Sequence, residues 1–309
     1  MLIRETDPEH DAAQVVDVLT ATSPTIVSNA AEWLHRIRAV PERARLILRA
    51  AEVDGRVVGI AEAGLHTFGP GDVTYLGVRV LPAFRRQGVG SSLYAEMIAH
   101  AVALGTPQAA AMFDENDAGV SFARTRGWAE ERAEMLSTLD PRAVDDEPDP
   151  SVDVRPARDL DPRELHRVDE EATRDMPAIE EIEGIPFDEW LAFVWENPLF
   201  TRDGSFGAVV DGHVAAVSLL LANPDTHRAV SMFTGTSREH RGRGLARAVK
   251  LASTRWAREH GITQMVTTND ETNEAMLAVN RRLGYEPANR RVEYLIQREG
   301  LLRQRGEHL

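Results

Sequence analysis

Two short glycine-rich runs hold the residues of this chain best suited to chemistry. The first is Arg85-Arg86-Gln87-Gly88-Val89-Gly90 and the second is Arg241-Gly242-Arg243-Gly244-Leu245-Ala246. Each follows a strand-like run and opens a long helix-like one. A glycine turn at such a junction aims several backbone N–H groups at one point, and the helix dipole adds positive potential there. That is a cradle for a diphosphate. A single run of this kind also describes a plain surface turn; two at matching places do not read that way. A dinucleotide-binding fold would need a parallel sheet and an acid about twenty residues further on. Here a hairpin precedes each loop instead.

The elements that must position these loops repeat with them. Gly88 and Gly244 lie 156 residues apart, while Val53-Asp54-Gly55 and Val210-Asp211-Gly212 lie 157 apart. Asn116 and Asn273, and Gly127 and Gly284, keep the 157-residue offset. A near-constant offset over this length predicts two like domains in tandem. Between them, Pro141 to Asp153 holds three prolines and a dense set of acids, which predicts a stiff, solvated linker. The expected domains are therefore 1–140 and 153–309, joined by 141–152.

Within copy one the pattern predicts a strand over 2–5, helices over 8–20 and 30–40, and a hairpin of 45–53 and 57–65 around Asp54-Gly55. A strand over 73–80, a long helix over 88–104, a strand over 108–113, a short helix over 118–126 and a last strand over 128–139 follow. Copy two repeats the plan, with strands near 152 and over 205–210, 214–221 and 228–236. A helix over 243–259 stopped by Gly261, a strand over 264–268, a helix over 273–283 and a strand over 291–297 complete it. The fold class is mixed α/β, each domain a mostly antiparallel sheet flanked by helices with one strand–helix–strand crossover. The tail from Arg298 onward has no readable packing, and the oligomeric state is not legible.

Composition narrows the partners. A chain of 309 residues with 43% hydrophobic content can fill two cores. A formal charge of −14 disfavours nucleic acid and anionic membrane surfaces and favours a cationic small substrate such as an amine. No apolar run of about eighteen residues exists to cross a membrane, and the first residues lack the layout of a secretion signal, so the expected location is cytoplasmic. Cysteine is absent, which removes disulfides, thiolate nucleophiles and cysteine-ligated metals. The ten histidines make no zinc-helix pattern, and no metal is expected. Lys250 is the only lysine, which reads as a compositional bias towards arginine.

The order of elements and the two loops together resemble the GNAT superfamily of acyl-CoA N-acyltransferases. Its signature is Arg or Gln, two residues, Gly, one residue, then Gly or Ala, matched by Arg85, Gly88 and Gly90 and by Arg241, Gly244 and Ala246. Gly127-Trp128 and Gly284-Tyr285 match the family's closing glycine–aromatic pair. The resemblance spans nearly the whole chain and implies a tandem acetyltransferase that uses acetyl-CoA on a small-molecule amine, by direct attack in a ternary complex. It implies that N–H groups of Gln87 to Gly90 and of Arg243 to Ala246 hold the coenzyme A diphosphate, with Arg85, Arg86, Arg241 and Arg243 adding charge and Gly242 and Leu245 shaping the turn. Pantetheine would lie in a gap between the fourth and fifth strands, pairing with backbone near Val78 and Val80 and near Thr234, Gly235 and Thr236. One strand N–H would meet the thioester carbonyl as a small oxyanion hole.

One departure stands out. The family's usual tyrosine acid lies four residues before the Gly of the closing pair, where this chain has Ala123 and Asn280. Asn273 and Asn280 are seven residues apart on one predicted helix, facing the pantetheine, although Asn273 also suits a helix cap. Copy two is expected to be catalytic, with Asn280, Asp270 and Glu271 as its candidate groups and Asn273 beside the cofactor. His213 and His227 are further candidates for the base, and Glu62 in copy one, which is expected to be degenerate. The aromatic set Phe187, Trp190, Phe193 and Trp195 reads as core packing or as an acceptor lid. Two alternatives stay open: a mycothiol-synthase-like acetyltransferase, and a non-catalytic protein that senses or scaffolds through bound coenzyme A.

Overall fold

The structure is a computed structural model that describes residues 1–23, 25–67, 71–176 and 184–306. In chain order it runs β1 (Leu2–Glu5), α1 (Pro8–Thr22), α2 (Ala30–Ala39), β2 (Ile47–Val53), β3 (Arg56–Leu65), β4 (Val73–Val80), α3 (Val89–Leu104), β5 (Gln108–Asp114), α4 (Asp117–Arg124) and β6 (Ala129–Leu139). There follow β7 (Asp153–Pro156), α5 (Pro162–Thr173), α6 (Phe187–Trp190), β8 (Phe206–Val210), β9 (His213–Asn223), β10 (Arg228–Thr236), α7 (Leu245–Glu259), β11 (Gln264–Asp270), α8 (Glu274–Arg282), β12 (Glu286–Gln297) and α9 (Arg298–Arg305). The expected elements are present in the expected order, because the turn and cap residues that bound them act locally. Asp7, Asn29, Asn116, Asp161 and Asn273 each accept a backbone N–H at the start of α1, α2, α4, α5 and α8.

The chain packs as two compact units, residues 1–133 with 290–309, and residues 134–289. These differ from the expected boundaries at 140 and 153, because each copy sends its last strand away. In unit 1 the strands run β1-β2-β3-β4-β5-β12, with Arg291 to Gln297 of β12 antiparallel to β5. In unit 2 they run β6-β11-β10-β9-β8-β7, with Glu134 to Leu139 of β6 antiparallel to β11. The acidic run 141–152 is also not simply solvated. In unit 2, Arg247 and Arg255 bind Asp146 and Glu147, and Arg258 donates to the Val144 carbonyl at 2.8 Å. Three arginines of α7 thus contact the run at Val144, Asp146 and Glu147.

Unit 1 has a large core, in which α3 lies across β3 and β4 and the buried Leu301 of α9 joins it, and a smaller cluster of Ala12, Val15, Leu19 and Trp33 between α1 and α2. The described part of the tail, 298–306, therefore packs rather than frays: Tyr94 donates to Gln304 at 2.5 Å, and Gln304 donates to the Arg126 carbonyl at 2.6 Å, while 307–309 lie outside the described residues. Unit 2 divides its apolar core into three clusters. One of them holds the aromatic set, where Trp190 stacks on Phe187 and Trp195, and Trp195 tilts onto Phe200. Those residues are core.

Candidate active site

Both glycine loops end in the same backbone device. Gly88 (φ 85°) and Gly244 (φ 77°) are left-handed residues immediately before α3 and α7, and neither helix start is capped by a side chain. The first intrahelical bonds run from Ser92 to the Gly88 carbonyl and from Ala248 to the Gly244 carbonyl. The N–H groups of Val89 to Ser91 and of Leu245 to Arg247 precede those bonds and leave the helix end as donors. A Cβ on Gly88 or Gly244 would meet no atom within 4 Å, so the space ahead of each loop is open. Glycine is required there by φ rather than by crowding.

The signature arginines brace this turn. Arg85 Nε donates to the Val80 carbonyl at 3.1 Å, and Arg241 Nε donates to the Thr236 carbonyl at 3.2 Å. Arg241 also binds Asp175 at 2.5 Å, as does Arg238 at 2.6 Å, and these two guanidinium groups hold the Asp175 carboxyl far below the usual carboxylate range. Gln87 and Arg243 reach back to the Ala83 and Glu239 carbonyls. The turn needs a second left-handed residue, which is Gly242 (φ 76°) in unit 2 but Arg86 (φ 62°) in unit 1.

Beside each loop a fork opens in the sheet. β4 and β5 pair in parallel only from Val73 to Tyr75, and β10 and β11 only from Arg228 to Val230. Beyond those points Val78 and Val80 in unit 1, and Thr234, Gly235 and Thr236 in unit 2, keep their antiparallel partner but have none across the fork. Such a strand edge offers its N–H and C=O groups to a ligand lying in the gap. The two forks differ in one respect. β3 and β4 pair without interruption, whereas the β9–β10 ladder shifts between Ser231 and Phe233, with Met232 as the extra residue. A bulge of this kind leaves a backbone group unpaired at the base of the fork. At Gly235 an added Cβ would lie 2.6 Å from Ala172, so α5 packs directly on this stretch.

A second difference lies beneath the forks. In unit 1, the face of β3, β4, β5, α3 and α4 that meets the core carries Ala61, Leu76, Val78, Tyr94, Met97, Ile98, Ala111 and Ala123. The equivalent places in unit 2 carry Ser218, Ser231, Thr234, Lys250, Ser253, Thr254, Thr267 and Asn280. All of these but Thr234 are buried. Lys250 is 2% exposed, donates to Ser231 Oγ at 3.2 Å and lies 5.0 Å from the centre of the Tyr285 ring. Ser231 Oγ is 3.4 Å from Thr234 Oγ1, and Ser253 donates to Ser218 at 3.1 Å. Burial lowers the Lys250 ammonium to about 7. Together these residues form a buried polar seam inside unit 2.

The other expected site residues fall as follows. Asn280 is buried and donates from Nδ2 to Asn269 Oδ1 at 2.6 Å, while its Oδ1 has no partner. Asn273 stands one residue before α8, and its Oδ1 accepts from Met276 at 3.2 Å, so its side chain serves as the cap. Asp270 ends β11 and accepts from the Thr272 backbone at 2.8 Å. Glu271 is exposed beside it. His227 sits at the closed end of the β10–β11 pairing, away from the fork; His213 is exposed, 3.6 Å from Glu164. In unit 1, Glu62 stands opposite Gly77 across the β3–β4 pair, and its charge acts on Arg79, whose guanidinium burial lowers.

Two groups escape a reading of the sequence. Asp169 on α5 accepts from Trp190 at 2.6 Å and from Thr173 at 3.0 Å, and burial pushes its carboxyl up to about 6. In sequence it opens Asp169-Glu170-Glu171, which looks like a solvated helix face. Lys250 carried a usable signal: it stands between Val249 and Leu251, on a helical stripe with Ser253 and Ala257 that spacing marks as buried.

Among the described residues there is no group of side chains able to hold a metal, and no helix long and apolar enough to cross a membrane. The acetyltransferase (GNAT) family matches residues 13–128 and 165–285. The chain belongs to that family. As a tandem GNAT acetyltransferase its fold is shared with solved structures of low sequence identity. A tandem GNAT protein from the clavulanic acid biosynthesis pathway is 22% identical over 96% of this chain and 98% of that one, with a TM-score of 0.73. A GCN5-related N-acetyltransferase from Sphaerobacter thermophilus is 19% identical over 96% and 95%, with a TM-score of 0.68. A GNAT-family acetyltransferase from Colwellia psychrerythraea is 15% identical over 96% and 100%, with a TM-score of 0.62. No curated protein matches the chain in sequence.

Proposed function

We propose that this GNAT acetyltransferase moves an acetyl group from acetyl-CoA to the primary amine of a small molecule, by direct attack in a ternary complex, and that unit 2 performs the transfer. The observation that carries the reading is the pairing, in each unit, of an uncapped helix start with a forked sheet. The helix start suits the diphosphate and the fork suits the pantetheine arm. The bulge at Met232, which β4 lacks, favours unit 2, because it frees a backbone N–H where the thioester carbonyl would end. Unit 1 keeps the cradle and the fork but has neither the bulge nor a polar residue at Ala123, which supports a holding role. With no cysteine in the chain, no acyl-cysteine intermediate can form. The net charge of −14 favours cationic acceptors over anionic ones.

A free-thiol assay with acetyl-CoA over aminoglycosides, polyamines and amino acid amides, alongside calorimetric titration of coenzyme A, tests this. The expected result is thiol release with at least one amine, lost in Gly244→Trp and retained in Gly88→Trp. Coenzyme A binding without turnover on any amine would favour a sensor or scaffold. Turnover that survives Gly244→Trp would move the chemistry to unit 1.

A further inference from the structure

The departing sulfur of a thioester needs a proton, and neither Ala123 nor Asn280 has an acidic O–H to give. We infer that Lys250 supplies it, through Ser231 and then Thr234, along a hydrogen-bonded line from the interior of unit 2 to the unpaired edge of β10. This rests on the proposed function, since the line matters only if a thioester lies in that fork.

The geometry is continuous. Lys250 Nζ donates to Ser231 Oγ at 3.2 Å, and Ser231 Oγ lies 3.4 Å from Thr234 Oγ1. Ser231 is the first β10 residue beyond the parallel pairing with β11, and Thr234 lies on the stretch whose backbone faces the open fork. Lys250 spends one N–H on Ser231 and presents its charge to the Tyr285 ring. Among the described residues no carboxylate lies within ion-pair distance of it. It contacts a hydroxyl and an aromatic ring, Ser231 from β10 and Tyr285 ahead of β12, while Ser218 of β9 binds Ser253 on the same helix; burial, with no charged group among the described residues beside it, sets its acidity. The phenol of Tyr285 is held above its ordinary range by burial. The arginines of α7 itself, 247, 255 and 258, point outward to Asp146, Glu147 and the Val144 carbonyl. A buried amine with no counter-ion is costly to maintain. Unit 1 does without it, placing Tyr94, Leu76 and Val78 at the same three positions.

The proton balance closes. As the acceptor nitrogen bonds to the carbonyl carbon, the C–S bond breaks and its electron pair goes to sulfur. Thr234 gives its hydroxyl proton to sulfur, Ser231 replaces that proton, and the Lys250 ammonium replaces the proton of Ser231. The nitrogen of the new amide releases one proton to solvent, and neutral Lys250 regains one. An ammonium whose acidity sits near neutrality gives up its proton readily in this step and is recharged readily after it.

Coenzyme A itself is the probe, so no acceptor is needed. In a Gly88→Trp background, which confines binding to unit 2, the thiolate absorbance of bound coenzyme A is followed against pH. The expected result is a thiolate fraction at neutral pH roughly three- to tenfold above that of free coenzyme A, falling to the free value in Lys250→Met and most of the way in Ser231→Ala. Lys250 is the only lysine, so 13C-lysine labelling gives one Cε signal. Its titration should rise when coenzyme A binds, which a purely structural lysine would not show. Equal thiolate fractions in the parent and Lys250→Met, with coenzyme A still bound, overturn the relay and leave the proposed function standing. No coenzyme A binding in the Gly88→Trp background overturns both.

Discussion

Units 1 and 2 set the same backbone trap over different interiors. Each has a left-handed glycine before an uncapped helix and a sheet that forks three residues into its parallel pair. Beneath the fork unit 1 is a hydrocarbon core, with Leu76, Met97 and Ile98 where unit 2 has Ser231, Ser253 and Thr254. The lesson is that a ligand cradle made of main chain tolerates either interior. A buried lysine and a line of hydroxyls weaken a core, and a fold keeps them only where they serve something else. The loops teach the same from the other side: unit 2 has glycine at both left-handed positions, while unit 1 holds Arg86 at φ 62°.

Each perturbation that follows separates the two units. The largest effect is on binding: Gly88→Trp should remove one coenzyme A equivalent and keep turnover, while Gly244→Trp removes the equivalent tied to turnover. Calorimetric stoichiometry decides.

Next in size is Lys250→Met. Its folded value near 7 lies below the unfolded value of about 10.4. Between those limits the unfolded chain holds the extra proton, so stability climbs as pH rises from about 7 to about 10. At pH 7 the variant should therefore be more stable, by roughly 2–4 kcal/mol, with the gain fading towards pH 10 in denaturant titrations. A methionine variant that is less stable at pH 7 would mean that the seam is structural.

Asp169 has the opposite sign. Its carboxyl is raised to about 6, above an unfolded value of about 3.9, so the folded state holds the proton more tightly and stability falls as pH rises from about 4 to about 6. Asp169→Asn keeps an acceptor for Trp190 and should stabilise unit 2 by about 1–2 kcal/mol at pH 7.5, and not at pH 4, where the folded carboxyl is already protonated and carries no penalty. The smallest effect is Arg86→Gly, where relief of a left-handed residue and the added freedom of the unfolded chain offset each other to within about 1 kcal/mol in Tm-derived stability.

Much of the fold was legible because its signals are local. Asp54-Gly55 and Asp211-Gly212 mark hairpins, Asn116 and Asn273 mark helix starts, and the constant offset between copies marks the tandem. The cradle was legible for the same reason, since Gly88 and Gly244 do their work through their own φ. The partner of each last strand was not legible. β6 and β12 have similar strand patterns, and nothing in either encodes which β5-like edge it joins. The acidic run 141–152 resembled a linker because its cations are about a hundred residues away on α7.

By itself the sequence determined two copies, their elements, the paired glycine loops and the absence of any thiol, since all of these depend on residue type and short spacing. Only the tertiary structure decided that the copies trade strands, that one fork is bulged and the other is not, and that the single lysine lies buried beneath the bulged one, with no counter-ion among the described residues. Burial and partnership are set by what folds onto a residue from afar, and a buried lysine and a surface lysine are the same letter.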